Sequence, residues 1–215
     1  MSANDPASVT NTGRRGAPKR RKARPSDGDD VRVEILKSAA KAFRLLGYHG
    51  ATVEKIAASL RMQKGNLYYY FRSKEEILFA CHQYSLDRLL ALLDDVERSS
   101  DPPNQKLRGL IVAFVHTSLD ELDGTALGLG LEALSPAHLR AVIARRDQFD
   151  RGLRRIIDDG IRAGQFTPAN VKFLSFAILG AINWIPRWYR PEGPSNSTEI
   201  ANEFADYLLA GLGSL

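Results

Sequence analysis

The chain has 215 residues, 44% of them hydrophobic, which is enough apolar material for one large or two small domains with a real core. Its single cysteine, Cys81, rules out an internal disulfide framework, and no basic leader precedes an apolar run, so a reducing cytoplasm is the expected home. The longest nearly apolar stretch, Phe173 to Pro186, is interrupted by Ser175 and Asn183 and falls short of the roughly 20 residues that cross a bilayer, so no membrane span is expected.

The net charge of +5 is unevenly placed. Arg14 to Arg24 holds seven basic residues and no acid, and Val31 to Glu75 holds nine basic against three acidic residues, which leaves the remainder at −8. A positive N-terminal end on an otherwise acidic chain points to a polyanionic partner for that end.

In chain order, residues 1–29 carry Ser, Asn, Gly, Pro, Asp and basic residues with almost nothing to bury, and read as a basic arm. From Val31, Ile35, Leu36, Ala39, Ala40, Phe43 and Leu46 repeat at helical spacing, with Gly47 as the stop. Thr52 caps a second, short helix through Val53, Ile56, Ala57 and Leu60. After a link at Arg61 to Gln63, a third runs through Gly65, Asn66, Leu67 and three tyrosines to Phe71. Ser73 and Glu76 have capping-box spacing at the start of a long fourth helix. Helices this short must be held by packing against one another.

Ser99 to Pro103 breaks the fourth helix, and Leu107, Leu110, Ile111, Phe114, Val115 and Leu119 mark the next. Ser135 and Pro136 open a long helix with Leu139, Val142, Ile143, Phe149, Leu153, Ile156, Ile157 and Ile161 inward, ended by Gly164. Thr167 and Pro168 open the most apolar segment, and a last helix spans about Thr198 to Leu212. No sustained alternation of period two, no internal repeat and no hairpin turn appear, so the predicted fold is all-α.

The segment TVEKIAASLRMQKGNLYYYFRSKEEIL, Thr52 to Leu78, combines a capping Thr, an Ile-Ala pair, a short turn, Lys-Gly-x-Leu-Tyr-x-x-Phe and Ser-Lys-Glu. With the first helix it resembles, over about Val31 to Phe79, the DNA-binding signature of the TetR family. The resemblance implies a helix-turn-helix domain over residues 30–76 and a helical ligand-binding and dimerisation domain over residues 77–215. It also implies a homodimer on a pseudo-palindromic DNA operator, released by a small-molecule effector.

On this resemblance Gln63, Lys64 and Asn66 start the recognition helix, where they can donate to base edges or phosphates. Tyr69 and Tyr70 face DNA while Leu67, Tyr68 and Phe71 pack inward, although Tyr70 also suits the core. Thr52 and Lys74, at helix starts, can hold phosphates or serve only as caps. Arg61 stands where a small residue is common in the family, and Gln63 where a Ser or Thr cap is common. The arm, with Arg20, Arg21 and Lys22, is expected to add phosphate or minor-groove contacts.

Phe173 to Ile182 is apolar on nearly all sides, as suits a helix shared between its own domain and a partner subunit. The following Asn183-Trp-Ile-Pro-Arg-Trp-Tyr-Arg-Pro-Glu-Gly193 resembles a segment of the TetR-like regulators that answer CoA thioesters. Trp184, Trp188 and Tyr189 would wall an acyl or adenine group, and Arg187 and Arg190, with Arg145 and Arg146 as further candidates, would meet phosphates. The same tryptophans also suit the core or a dimer interface, with Pro186 a helix kink and Arg187 and Arg190 solvated or salt-bridged.

An enzyme is disfavoured: His49, His82, His116 and His138 lack metal-ligand spacing with each other or with Cys81, and Gly-x-Ser-x-Gly and Walker motifs are missing. No cofactor is expected. A ligand-blind architectural DNA binder, or a repressor of a hydrophobic non-CoA ligand, remain as alternatives.

Overall fold

The computed structural model describes residues 27–121 and 130–213. Most of the arm, Arg20, Arg21 and Lys22 included, lies outside them. Among the described residues all regular structure is helical: α1 (Asp27–Gly50), α2 (Val53–Ser59), α3 (Lys64–Tyr70), α4 (Lys74–Arg98), α5 (Pro103–His116), α6 (Pro136–Arg162), α7 (Val171–Trp188) and α8 (Ser197–Gly211). A π-helical turn (Thr117–Glu121) follows α5, and a 3-10 turn (Leu131–Ala133) precedes α6.

The first three helices form one small unit. Ile35, Ala39 and Phe43 of α1, Ile56 and Ala57 of α2, and Leu67 with Phe71 at α3 are buried together, closed off by Ile77 and Leu78 of α4. Two of these helices have seven residues each, far below the length at which a helix persists alone in water. Their stability is therefore tertiary, with about 1.5–3 kcal/mol from each large side chain fully buried. Gly47 breaks α1 at φ 69°, ψ 169°, so the helix does stop where the glycine predicts. Leu46, expected in the apolar stripe, is instead exposed together with Leu45: it keeps the angular position of Ile35 but lies past Phe43, the last buried residue of α1.

Three caps sit where the sequence placed them. Thr52 Oγ1 accepts from the Lys55 amide (3.3 Å), Ser73 Oγ from the Glu76 amide (3.0 Å) and Ser135 Oγ from the His138 amide (3.3 Å). The Glu76 carboxylate returns to the amide of Arg72 (2.7 Å) rather than of Ser73. The seventh helix departs from expectation: it begins at Val171 under an Asn170 cap, not at Thr167. The Thr167 amide instead donates to the carbonyls of Leu212 (3.0 Å) and Gly213 (3.2 Å), pinning the end of α8.

In the C-terminal domain α5 lies chiefly on α8, and α4 on α6. Long-range polar contacts lock these pairs: Arg108 of α5 to Asp206 (3.0 Å) and Asn202 (2.9 Å) of α8, and Arg155 of α6 to Glu97 (2.6 Å) of α4. The α4–α6 approach is so close that a Cβ on Gly152 would collide with Leu93 Cδ2. On α6, Val142, Phe149, Leu153, Ile156 and Ile157 are buried as the periodicity predicts, whereas Ile143 is exposed.

α4 belongs to both regions. Its first turn closes the N-terminal unit and its middle walls the C-terminal core. At its start Glu75 Oε1 accepts from the Ser135 amide (2.9 Å) and lies 2.7 Å from His138 Nδ1, while His138 stacks on Phe79 with centroids 3.8 Å apart. The N-terminus of α6 therefore grips the root of the N-terminal unit.

Candidate nucleic-acid interface and effector cavity

The turn between α2 and α3 decides what α3 presents. Arg61 has φ 57°, and the Met62 amide donates back to the Ala57 carbonyl (2.9 Å) while the Arg61 amide donates to Ala58 (3.0 Å). This left-handed helix ending is the conformation glycine adopts most cheaply, which explains why a small residue suits the position better than Arg61. α3 then starts at Lys64 behind Gln63, whose side chain makes no cap bond and stays exposed.

Leu67 and Phe71 anchor α3 inward, leaving Gln63, Lys64, Asn66, Tyr68 and Tyr69 on its outer side, Tyr69 at 85% exposure. Tyr68 corrects the expectation that it packs inward: it is exposed, with Lys64 Nζ 5.7 Å from its ring centre. Tyr70 takes the core alternative, half-buried against the hydrophobic cluster and edge-on to Tyr69 (5.1 Å). Lys64 pairs with Glu54 of α2 at 2.5 Å. The Lys64 side chain, the Glu54 amide and the Thr52 hydroxyl together hold the Glu54 carboxyl down at about 2. Lys74 reaches the Tyr48 carbonyl (2.8 Å) and lies 4.2 Å from the Tyr48 ring centre, so it fastens the last turn of α1, past the Gly47 break, to the head of α4. Arg32, not singled out by the sequence, does the same for α3, with its guanidinium over Phe71 (4.3 Å).

The C-terminal domain holds a cavity of about 120 Å³ lined by Leu86 and Leu89 of α4, Phe114 of α5, Arg146 and Phe149 of α6, and Leu179 and Asn183 of α7. Phe114 and Phe149 meet edge to face there (5.5 Å). Arg146 is the anomaly. Its Nη2 is buried without a hydrogen-bond partner, and desolvation pushes its pKa down. Asp150, one turn on, leaves Oδ1 equally unpaired while its other oxygen pairs with Arg154.

The effector candidates are thus dispersed. Arg146 lines the cavity, whereas Arg145 points to α4 and bonds Gln83 (2.5 Å) and Asp87. Trp184 and Trp188 lie outside the cavity and are exposed, Arg187 over the Trp184 ring (5.0 Å) and Trp188 stacked on Phe204 of α8 (6.1 Å). Tyr189, Arg187 and Arg190 line a separate cleft beside α1. The apolar cavity wall was not legible as a site, because it gathers single residues from four helices that each read as ordinary core.

A two-helix reader with a polar outer face, rooted on the first turn of a helix that runs into a cavity-bearing helical body, defines a DNA-binding transcription regulator. A family profile described as "Bacterial regulatory proteins, tetR family" matches residues 35–81, and one described as "Tetracyclin repressor-like, C-terminal domain" matches residues 100–212. The chain belongs to the TetR family, as a transcriptional repressor with that family's ligand-binding C-terminal domain. The solved TetR family regulator PfmR of Thermus thermophilus is 34% identical, covering 83% of this chain and 98% of that one, with TM-score 0.74. The transcriptional repressor KstR2 of Mycobacterium tuberculosis is 28% identical over 200 residues, 84% of this chain and 92% of that protein. The KstR2 structure aligns at TM-score 0.77, with 26% identity over 86% of this chain and 96% of that one. AibR, solved in complex with isovaleryl coenzyme A and operator DNA, shares the fold at TM-score 0.70 and 24% identity over 84% of this chain and 97% of that one.

Among the described residues no helix is long and apolar enough to cross a membrane, and no cluster of His, Cys, Asp and Glu could hold a metal ion. The thiol of Cys81 is buried, which pushes its pKa up to about 12, and it donates to the Leu36 carbonyl (3.4 Å).

Proposed function

We propose that the protein is a homodimeric repressor that holds a pseudo-palindromic operator through Gln63, Lys64, Asn66 and Tyr69, and releases it when an acyl-CoA thioester enters the cavity beside Arg146. The observation that carries this reading is Arg146, which lines an apolar cavity and keeps a buried Nη2 without a hydrogen-bond partner. A buried charged donor without a partner costs free energy that an acceptor oxygen restores, and the carbonyl of an acyl group in an apolar envelope supplies one. Complexes of AibR with isovaleryl coenzyme A support the ligand class by likeness of fold.

At about 120 Å³ the cavity has room for roughly four waters at ~30 Å³ each, less than the ~300 Å³ at which drug-sized sites begin. A larger acyl group must spread its walls. Two of those walls, Leu86 and Leu89, belong to α4, whose first turn roots the reading unit, so ligand entry displaces the element that sets the heads. The release is a population shift: the ligand binds better to a dimer whose heads are misplaced for DNA.

The dimer rests on a stripe along α7 and α8. Phe173, Phe176, Trp184 and Trp188 recur at helical spacing on the side of α7 away from Ile178, Ile182 and Ile185, and Tyr207 of α8 is 75% exposed. A second copy covers this stripe and sets two heads about 34 Å apart, the spacing of one DNA turn. The basic arm adds phosphate contacts, as do Thr52 and Lys74 once Lys74 exchanges the Tyr48 carbonyl for DNA.

The test is thermal unfolding of the protein against straight, branched and ring-bearing acyl-CoAs, free CoA and the corresponding free acids. Selected thioesters raise the midpoint if the reading holds. A rise with free acids alone transfers the site to carboxylate ligands, which Arg146 would also receive, and no rise with any compound removes the CoA reading.

A further inference from the structure

Lys64 is the first residue of α3, on the outer side of the reading unit, and two side chains hold it there. Its Nζ lies 2.5 Å from Glu54 Oε1 of α2 and 5.7 Å from the ring centre of Tyr68, one turn further along α3, which is within reach of a cation–π contact. The Glu54 carboxylate is fixed in its turn. Lys64, its own amide and the Thr52 hydroxyl hold its pKa at about 2, so it is ionised throughout the neutral range. A line of contacts thus runs from the cap of α2 through Glu54 and Lys64 to Tyr68 on the recognition helix.

Stability does not account for this pair. The side chains of Lys64 and Glu54 stay 50% and 58% exposed, and ion pairs in that setting contribute little. A cation at the first residue of a helix also stands at the end that favours anions. What the pair changes is direction. An ammonium group carries three N–H donors on a flexible four-carbon stem, and a free one on this face would follow the phosphates, which dominate the charge of DNA. Here one donor is committed to Glu54, and the carboxylate beside it repels phosphate. Two donors remain, with their directions set, at the end of the recognition helix that reaches base edges. The major-groove edge of guanine offers two acceptors, N7 and O6, to such donors.

We propose that Glu54 is a positioning residue for sequence recognition: by holding Lys64 it turns that lysine from a phosphate contact into a reader of guanine. The inference rests on the operator-holding role proposed for Lys64 above. Glu54 itself touches no base and acts through Lys64. Its negative charge at the same time lowers affinity for DNA of any sequence. Both effects raise the ratio of operator binding to binding of unrelated duplex, one by improving the right contact and the other by penalising the wrong ones.

The experiment selects a duplex from random DNA with the full wild-type chain. Affinities are then measured for that duplex, its single-base derivatives, a derivative carrying a deazaguanine that lacks N7, and an unrelated duplex, over a range of salt. The proteins are the wild type, Glu54→Gln, Lys64→Gln and the double variant. The wild type loses about five-fold or more when N7 is removed from one guanine of each half-site. Each single variant flattens that preference at the same guanine, and the double variant flattens it no further than Lys64→Gln does. Glu54→Gln also binds the unrelated duplex more tightly than the wild type. Helical circular dichroism stays unchanged, and the two single variants approach the pair from opposite sides, so misfolding of one does not hide the result. Glu54→Gln tightening on every duplex by one factor, with the guanine preference kept, would make Glu54 only a repelling charge and overturn the proposal. Lys64→Gln weakening every duplex equally, with a shallower salt slope, would make Lys64 a phosphate contact and overturn it too. So would losses of preference that add in the double variant. A wild type that selects no sequence removes the operator-holding role itself, and this inference with it.

Discussion

In the N-terminal unit the buried side chains are apolar and the polar ones face outward, with Leu67 and Phe71 inside and Gln63, Lys64, Asn66 and Tyr69 outside. In the C-terminal domain the arrangement is partly inverted: Arg146 and Asp150 keep unpaired polar atoms inside, while Phe173, Phe176 and Trp184 are left on the surface. The first pattern suits a rigid tool whose recognition surface is complete in the monomer. The second suits a region left unfinished, with a cavity that lacks an acceptor and an apolar stripe that lacks a cover. Stability and function should therefore separate in the head and be entangled in the body.

The sharpest contrast lies within the head. Phe71→Ala is expected to cost about 3–5 kcal/mol in chemical denaturation, because it empties the junction of α1, α3 and α4. Tyr69→Ala, two residues away and exposed, should leave stability within about 0.5 kcal/mol yet weaken binding to a duplex selected from random DNA, read by fluorescence anisotropy. A Tyr69 variant that unfolds as readily as the Phe71 variant would erase the distinction.

Next in size is Gly152→Ala, where the new Cβ meets Leu93, itself buried at 2% exposure. An overpacked α4–α6 contact is expected to cost about 1–3 kcal/mol and, because α4 carries the head, to alter operator affinity as well. A loss of stability with unchanged DNA binding would show that the two regions are less coupled than α4 implies.

The third prediction has the opposite sign. Arg146→Met replaces a half-buried arginine, one nitrogen of which is buried without a partner, with an apolar side chain of similar length; denaturation should show a gain of up to about 1 kcal/mol together with loss of the thermal response to ligand. Stability given up by the native residue is what a binding group in a core is expected to show. A destabilised variant would mean that Arg146 is a structural group.

The smallest effect concerns the grip of α6 on α4. Burial alone would raise the Glu75 carboxyl, but the Ser135 amide, His138 and the Ser135 hydroxyl outweigh it and hold the pKa below its usual range. A lowered folded-state pKa means that stability is fully present above the unfolded value of about 4.3 and is lost as pH falls through the folded one. The melting midpoint of Glu75→Gln should therefore fall less steeply than the wild type's below about pH 4.3. Parallel curves would remove Glu75 from the account.

Local signals carried most of the fold. Thr52, Ser73 and Ser135 cap helices because their partners lie three residues on, and Ile35, Ala39 and Phe43 are buried because a helix of ordinary pitch puts them on one side. What escaped the sequence depends on residues far apart in it. Thr167 looked like a helix start but is claimed by the end of α8, and the bond from Lys74 to the Tyr48 carbonyl joins residues far apart in the chain. Arg145 and Arg146 are indistinguishable as a pair in sequence, yet one step around α6 sends the first to Asp87 and the second to the cavity. The outward face of α3 was legible because it sits in one contiguous motif; the cavity was not, because four helices build it.

The central claim is that the cavity around Arg146 and the face around Tyr69 communicate through α4. The measurement that tests it most directly is operator affinity of the wild type and of Arg146→Met, with and without an acyl-CoA that raises the wild-type melting midpoint. The account predicts that the ligand weakens wild-type binding at least ten-fold, about 1.4 kcal/mol of coupling, and leaves the variant's binding unchanged. A ligand that binds the wild type without altering its operator affinity, or that releases the variant just as well, would contradict it.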